Sequence, residues 1–263
     1  MTFGIEASGG SGPGPIDHIL IVAITILLPL HDLIFWFPRL RRATGPGLGR
    51  ARSRAYLESA IIEWALVILV LLHWITSSRP IFGLGFGPPA GWRFWLASGI
   101  VIGALTFTTW QRISLTRNKE DKVRREVMAQ LEHLRPLLPH TRNEMIRFVL
   151  LSMTAGICEE ILFRGYLLWY LSCLVPAVAA WLAGALLFGM AHAYQGSGGV
   201  LRTGLVGAGL VALYLISGSL WLPMLLHAFV DVNSGLLAYA YLKHSEPAEL
   251  AVADPVDSSH LPS

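Results

Sequence analysis

Seven apolar runs, each close to the length needed to cross the hydrocarbon core of a bilayer, take up most of this chain. They lie at Ile16 to Phe37, Tyr56 to Ile75, Trp92 to Trp110, Ser152 to Cys173, Pro176 to Tyr194, Gly199 to Ser217 and Leu220 to Leu242. A spanning helix needs about 20 such residues. Backbone polar groups in lipid must be satisfied within the segment or in a closed barrel, so runs of this length are expected as helices. Of 263 residues, 54% are hydrophobic and only 14% charged, against about 25% charged in soluble domains. The expected fold is therefore all-α, a polytopic transmembrane bundle of seven to eight helices with no sizeable soluble domain.

The charges lie mainly between the runs and set a topology. Arg39 to Arg54 carries six arginines and no acid, and Gln111 to Arg135 carries seven basic and four acidic residues. Short loops rich in Lys and Arg stay on the cytoplasmic side. The stretch Thr76 to Gly91, with Arg79 alone and much Pro and Gly, is expected outside. These assignments put the N-terminus outside and the C-terminus in the cytoplasm, and the short basic loops suit a bacterial inner (plasma) membrane. The net charge of +3 is topology information and no argument for nucleic acid. No A-x-A-like cleavage site follows the first run, so that helix is expected to be retained.

The organisation expected is a flexible N-terminus (1–15), three N-terminal transmembrane helices (16–110), a cytoplasmic basic and amphipathic segment (111–151), a helical core (152–243) and a disordered tail (244–263). Within the third part, Val123, Val127, Met128, Leu131 and Leu134 recur among many charges, as in a helix lying on the membrane surface. Residues 143–151 read as an interfacial lead into the fourth run or as part of one long tilted helix. Cys158 and Cys173, about 22 Å apart on one helix, cannot bridge each other.

The chemistry is carried by ionisable residues inside the last runs. Glu159 and Glu160 are adjacent, and Arg164 follows Glu160 by one turn, which puts that pair on one helix face. Glu159 points about 100° away and is free for a proton, water or metal. A charge at membrane depth is a functional hypothesis by default, because lipid penalises it. His192 ends the fifth run, and His227 with Asp231 forms another pair four residues apart in the seventh, where a carboxylate can orient an imidazole. The directions fixed by the basic loops place Glu159 and Glu160 about 11 Å below the inner end of their helix and His227 about 10 Å below the outer end of its own. All can meet between the midplane and the cytoplasmic face. Glu63 has no partner identifiable in the sequence, and His31 and Asp32 read as interfacial.

In order, the segments from Glu159 to Gly165 (EEILFRG), from Phe188 to His192 (FGMAH) and from His227 to Asp231 (HAFVD) resemble the three motifs of the CPBP family, the Abi-like group of CAAX prenyl endopeptidases and bacteriocin-processing-type intramembrane proteases. The resemblance covers about a third of the chain, Ser152 to Leu242. It implies that Glu159 is the general base, that His192 helps position the attacking water, that Glu160 and Arg164 shape the site, and that His227 and residue 231 face the developing oxyanion. Many members carry Asn where this chain has Asp231, and an ionised Asp cannot donate a hydrogen bond. Asp231 is then protonated, or orients His227, or favours a cation.

The function expected is an intramembrane endopeptidase acting on a membrane-associated protein or peptide, prenylated or a leader peptide, with the lipid bilayer as its other partner and no nucleic acid. No cofactor is required by a glutamate mechanism; the alternative is Zn2+ on Glu159, His192 and His227, an acceptable ligand set, although no H-E-x-x-H motif is present. Two other classes remain open on the residues alone: a non-enzymatic membrane immunity or scaffold protein, and a proton-coupled transporter using the same carboxylates.

Overall fold

The computed structural model describes residues 12–44, 47–88 and 90–243. Most of the expected flexible N-terminus and all of the expected C-terminal tail lie outside the described residues. Within them the chain is helical, with no strand. Eight helices follow in order: α1 (Pro15–Arg42), α2 (Gly47–Thr76), α3 (Gly91–Arg117), α4 (Asp121–Leu131), α5 (142–172), α6 (Ala177–Ala191), α7 (Ser197–Ser217) and α8 (Trp221–Leu242). Short 3-10 turns occur at Ile81–Leu84, Glu132–Leu134 and Ala193–Gln195.

Four helices, α1, α2, α7 and α8, are long and apolar enough to cross a membrane by length and composition, where the sequence suggested seven spans. The other three runs fall short for different reasons. Helix α6 has 15 residues, about 22 Å against a hydrocarbon core of about 30 Å. Tryptophans and threonines dilute α3, and α5 carries the buried charges. The helices also overrun their apolar stretches: α2 begins at Gly47, α3 continues to Arg117, and α5 starts at Arg142. Hydropathy marks the lipid-facing portion of a helix, whereas its ends are set by capping. At the start of α5, Thr141 accepts from the Glu144 amide at 3.3 Å while the Glu144 carboxylate accepts from the Thr141 amide at 3.1 Å, a reciprocal cap that needs no apolar residue.

Helix α1 contains two widened, π-helical turns, Ala23–Leu27 and Asp32–Trp36. Each lies just before a proline, Pro29 and Pro38, whose missing N–H and bulky ring disrupt the regular ladder. Helix α5 contains a third, Glu160–Leu167, with all eight residues buried.

Large apolar side chains are exposed around the bundle, among them Leu69, Ile102, Leu182 and Leu205, and Trp92, Trp95 and Trp110 stand out near the two ends of α3. Such a surface is suited to lipid, with aromatics near its two interfaces. Helix α5 is the centre of the bundle, packed against α2 and α8, while α6 packs on α7 and α3 on α8. Gly156 of α5 is one reason: a Cβ there would lie 2.6 Å from the Ala228 Cβ of α8. Gly189 does the same between α6 and α7, where a Cβ would lie 2.7 Å from the Val200 carbonyl oxygen. Of the small residues of α7, Gly204 and Gly207 face α6, and Gly209 faces open space. Helix α4 covers one end of the bundle, its Met128 and Leu131 packing with Leu134 against Leu138, Ala238 and Leu242.

Polar side chains inside the bundle form three layers, which α2 crosses in turn at Arg52, Glu63 and His73, roughly 15 Å apart. In the first, Arg52 donates to Glu144 at 2.6 Å and to the Pro136 carbonyl at 3.0 Å, and Tyr56 donates to the Leu137 carbonyl at 2.5 Å. This layer fastens the loop before α5 to α2. Burial and the nearby Arg52 guanidinium push the His140 imidazole in this loop down to about 4. In the third, Asp17 accepts from Arg79 at 2.8 and 2.7 Å and from Tyr166 at 2.8 Å, with the Arg79 guanidinium over the Trp169 ring. The middle layer holds the motif residues. Cys158 and Cys173 are both free, Cys158 buried and Cys173 exposed.

Candidate active site

Glu159 ends the regular stretch of α5 and Glu160 opens its widened turn. Widened turns recur at functional sites because the extra residue re-aims side chains that a regular helix would stack. Here Glu160 and Arg164 turn inward, at 0% and 1% exposure. Arg164 donates to Glu160 at 2.8 Å and to the Gly207 carbonyl of α7 at 3.3 Å, and its guanidinium lies 4.0 Å from the Phe188 ring centroid. The charge is thus neutralised and covered at once, as burial requires. Gly207 makes room for this: a Cβ there would lie 2.9 Å from the Phe188 ring.

His192 caps the C-terminus of α6, and its Nδ1–H donates to the Phe188 carbonyl at 2.9 Å. His227 comes from the first half of α8, and its Nδ1–H donates to Glu160 at 2.8 Å. With both Nδ1 atoms engaged, both Nε2 atoms are turned toward Glu159. Glu159 Oε2 lies 3.8 Å from each of them and has no direct hydrogen-bond partner among the described residues. Asp231 Oδ2 lies 3.7 Å from His227 Nε2, and its side chain is the most open of the group at 39% exposure, which marks the wet side of the cluster. All six residues singled out in the sequence, Glu159, Glu160, Arg164, His192, His227 and Asp231, are therefore in one cluster built from α5, α6 and α8. Among the described residues, no three His, Cys, Asp or Glu side chains are grouped so as to hold a metal ion.

Three further side chains reach this cluster. Glu63 of α2 is within electrostatic range of Glu159, His227 and Asp231, and its Oε2 is buried without a hydrogen-bond partner among the described residues. Asp32 of α1 is within range of His192 and Glu159, not merely at an interface as its sequence position suggested. Phe188 is the aromatic wedge of the site, its ring 4.9 Å from that of His192 and 5.9 Å from that of His227. An acid inside an apolar run was the available signal for Glu63 and Asp32. Their partners lie 96 and 127 residues further along, at Glu159, so no local spacing reveals them.

Residues 141–233 match the model of the family described as type II CAAX prenyl endopeptidase Rce1-like. The matched stretch contains all three motifs and bears out the CPBP resemblance drawn from them; residues 1–140 lie outside it. That family is one of endopeptidases, and four helices of the chain have the length and apolar composition of membrane spans. No curated protein and no solved structure matches the chain.

Proposed function

We propose that the chain is an intramembrane endopeptidase in which Glu159 is the general base that activates water against a peptide bond of a membrane-associated substrate. The observation that carries the reading is the position of Glu159 Oε2, 3.8 Å from the Nε2 atoms of both His192 and His227. That separation is too long for a direct hydrogen bond and short enough for one water to reach all three groups. Glu159 accepts one proton of that water, and the His192 Nε2 lone pair accepts from the other O–H and aims the oxygen. The protonated Glu159 then delivers its proton to the leaving amine. Proton transfer of this kind contributes typically 10²- to 10⁴-fold.

His227 lies on the side where the carbonyl oxygen gains charge. Its Nδ1–H is committed to Glu160, so it stabilises that oxygen when Nε2 also carries a proton. Asp231, 3.7 Å away, is the counter-charge for that form. This gives Asp231 a role that does not require it to donate. Glu160 and Arg164, sealed in the core, hold His227 and the widened turn in place and do not touch the substrate.

The substrate class that fits is a membrane-associated protein or peptide, either a prenylated chain or a leader peptide. The N-terminus is outside and the C-terminus cytoplasmic, in a bacterial inner membrane, as the basic loops favour. The test is incubation of the purified protein in liposomes with farnesylated and acylated peptides, read by fragment masses, with and without a chelator. Discrete fragments that persist with chelator are expected. Uptake of intact peptide coupled to protons, with no fragment, would overturn the proposal in favour of transport; fragments abolished by chelator would replace the glutamate mechanism with a metal one.

A further inference from the structure

The last turns of α1 border a cavity that the hydrolysis step does not use. It has a volume of about 530 Å3 and opens between the end of α1 and the turn that follows α6, lined by Leu33, Phe37, Arg41, Arg42, His133 and Tyr194 among others. Helix α1 is 28 residues long, about 42 Å, which matches the thickness of a bilayer with its headgroups included. A span of that length, beginning at Pro15, brings Arg41 and Arg42 in its last turn to the depth of lipid headgroups.

The lining is divided by chemistry. Leu33, Phe37 and Arg41 follow one another at four-residue steps and line the cavity together, an apolar strip that ends in a charge. The strip is continuous with surface suited to lipid, since Leu30 and Ile34 beside it are exposed. On the inner wall the Phe37 and Tyr194 rings are 5.3 Å apart, and His133 donates to the Tyr194 carbonyl at 2.8 Å. The charge at the mouth is uncommitted. Arg39, on the same helical turn, is paired with Glu58, whereas Arg41 and Arg42 are exposed and neither is in an ion pair among the described residues. Two such guanidiniums at the end of an apolar strip suit a phosphodiester with hydrocarbon chains attached: the forked N–H groups take the phosphate oxygens, and the chains lie on the strip. Basic pockets between spanning helices hold anionic headgroups on the same grounds.

We propose that this cavity is a binding site for one anionic phospholipid, with Arg41 and Arg42 on its phosphate and its acyl chains along Leu33 and Leu30 of α1. The apolar strip favours a lipid over free phosphate, which has nothing to place there. The site does not depend on the peptidase reading, but it borders the catalytic cluster. The Tyr194 and His192 rings are 6.0 Å apart, so the bound lipid packs against the turn next to His192.

Native mass spectrometry of the full chain in detergent, titrated with phosphatidylglycerol or with phosphatidylcholine of the same acyl chains, reads the binding of each lipid directly. Phosphatidylcholine carries the same phosphate together with its own cation, so the comparison isolates net charge. The first phosphatidylglycerol is expected to bind at least tenfold more tightly than the first phosphatidylcholine, and the preference is expected to vanish in the protein carrying Arg41→Gln and Arg42→Gln. Arg124→Gln with Arg125→Gln, which removes the same charge from exposed positions on α4, is expected to leave the preference intact. Equal Kd values for the two lipids would overturn the proposal, and need no variant to be interpreted. So would a preference that survives the loss of Arg41 and Arg42, or one lost equally with Arg124 and Arg125, which would make it a general effect of surface charge. Inorganic phosphate at the concentration of the lipid is expected to leave the lipid bound; its displacement would overturn the lipid assignment in favour of free phosphate.

Discussion

At the residue scale the site sets a buried carboxylate, paired through one of its oxygens, beside a carboxylate kept free. Glu160 is enclosed by Arg164 and His227, each at 2.8 Å, while Glu159 Oε2 faces two imidazole nitrogens across a gap of 3.8 Å. Removing one partner of a buried pair leaves the other charge exposed to low dielectric, at a cost of about 3–5 kcal/mol. Arg164→Met is therefore expected to lower the unfolding midpoint sharply and abolish activity with it, whereas a midpoint within a degree of the parent would show that the pair is not structural. Asp231 is expected to behave differently. As the counter-charge of His227 it is needed for its charge, so Asp231→Asn and Asp231→Leu are both expected to lose about 10²-fold or more; a rate for the Asn variant equal to that of the parent would remove the counter-charge role. Outside the spans, His140 gives a stability signature. It titrates near 6.5 when unfolded and about 4 when folded, so between those values the unfolded chain binds a proton that the folded chain does not. Its contribution is intact above about pH 6.5 and falls on acidification, by about 2 kcal/mol at pH 5. The midpoint is expected to drop between pH 7 and 5, and less steeply in His140→Gln; parallel slopes would contradict this.

At the scale of elements, close helix approach and irregular turns do the positioning. Gly156 lets α5 lie against the Ala228 backbone of α8, and this contact sets how far Glu159 stands from His227. Gly156→Val is expected to push the helices apart and reduce cleavage by at least 10²-fold while the protein still inserts and remains helical; unchanged cleavage would mean that α5 and α8 tolerate separation. The helices themselves were legible because lipid leaves the backbone few alternatives. Their ends were not: α2 starts nine residues before its apolar run, on Gly47, because a helix continues past its apolar stretch wherever side chains such as Arg52 find buried partners such as Glu144. The widened turn at Glu160–Leu167 left no trace in composition, having no proline to announce it. Those of α1 had Pro29 and Pro38, a signal that was available.

At the scale of the molecule, three helices that are distant in sequence bring their polar residues to one depth. The order of the basic loops was enough to predict that α5, α6 and α8 could do so, since loop charge sets direction and helical rise sets depth. It could not reveal Glu63 or Asp32, because α1 and α2 match no motif and their contribution exists only through packing against α5 and α6. The structure gives the N-terminal helices a share in the site's lining, beyond anchorage. The most direct measurement of the central claim is the cleavage rate of a lipid-anchored peptide by Glu159→Gln in liposomes, beside its unfolding midpoint. The reading predicts a rate lower by at least 10³-fold with the midpoint unchanged or raised; cleavage within tenfold of the parent would contradict it.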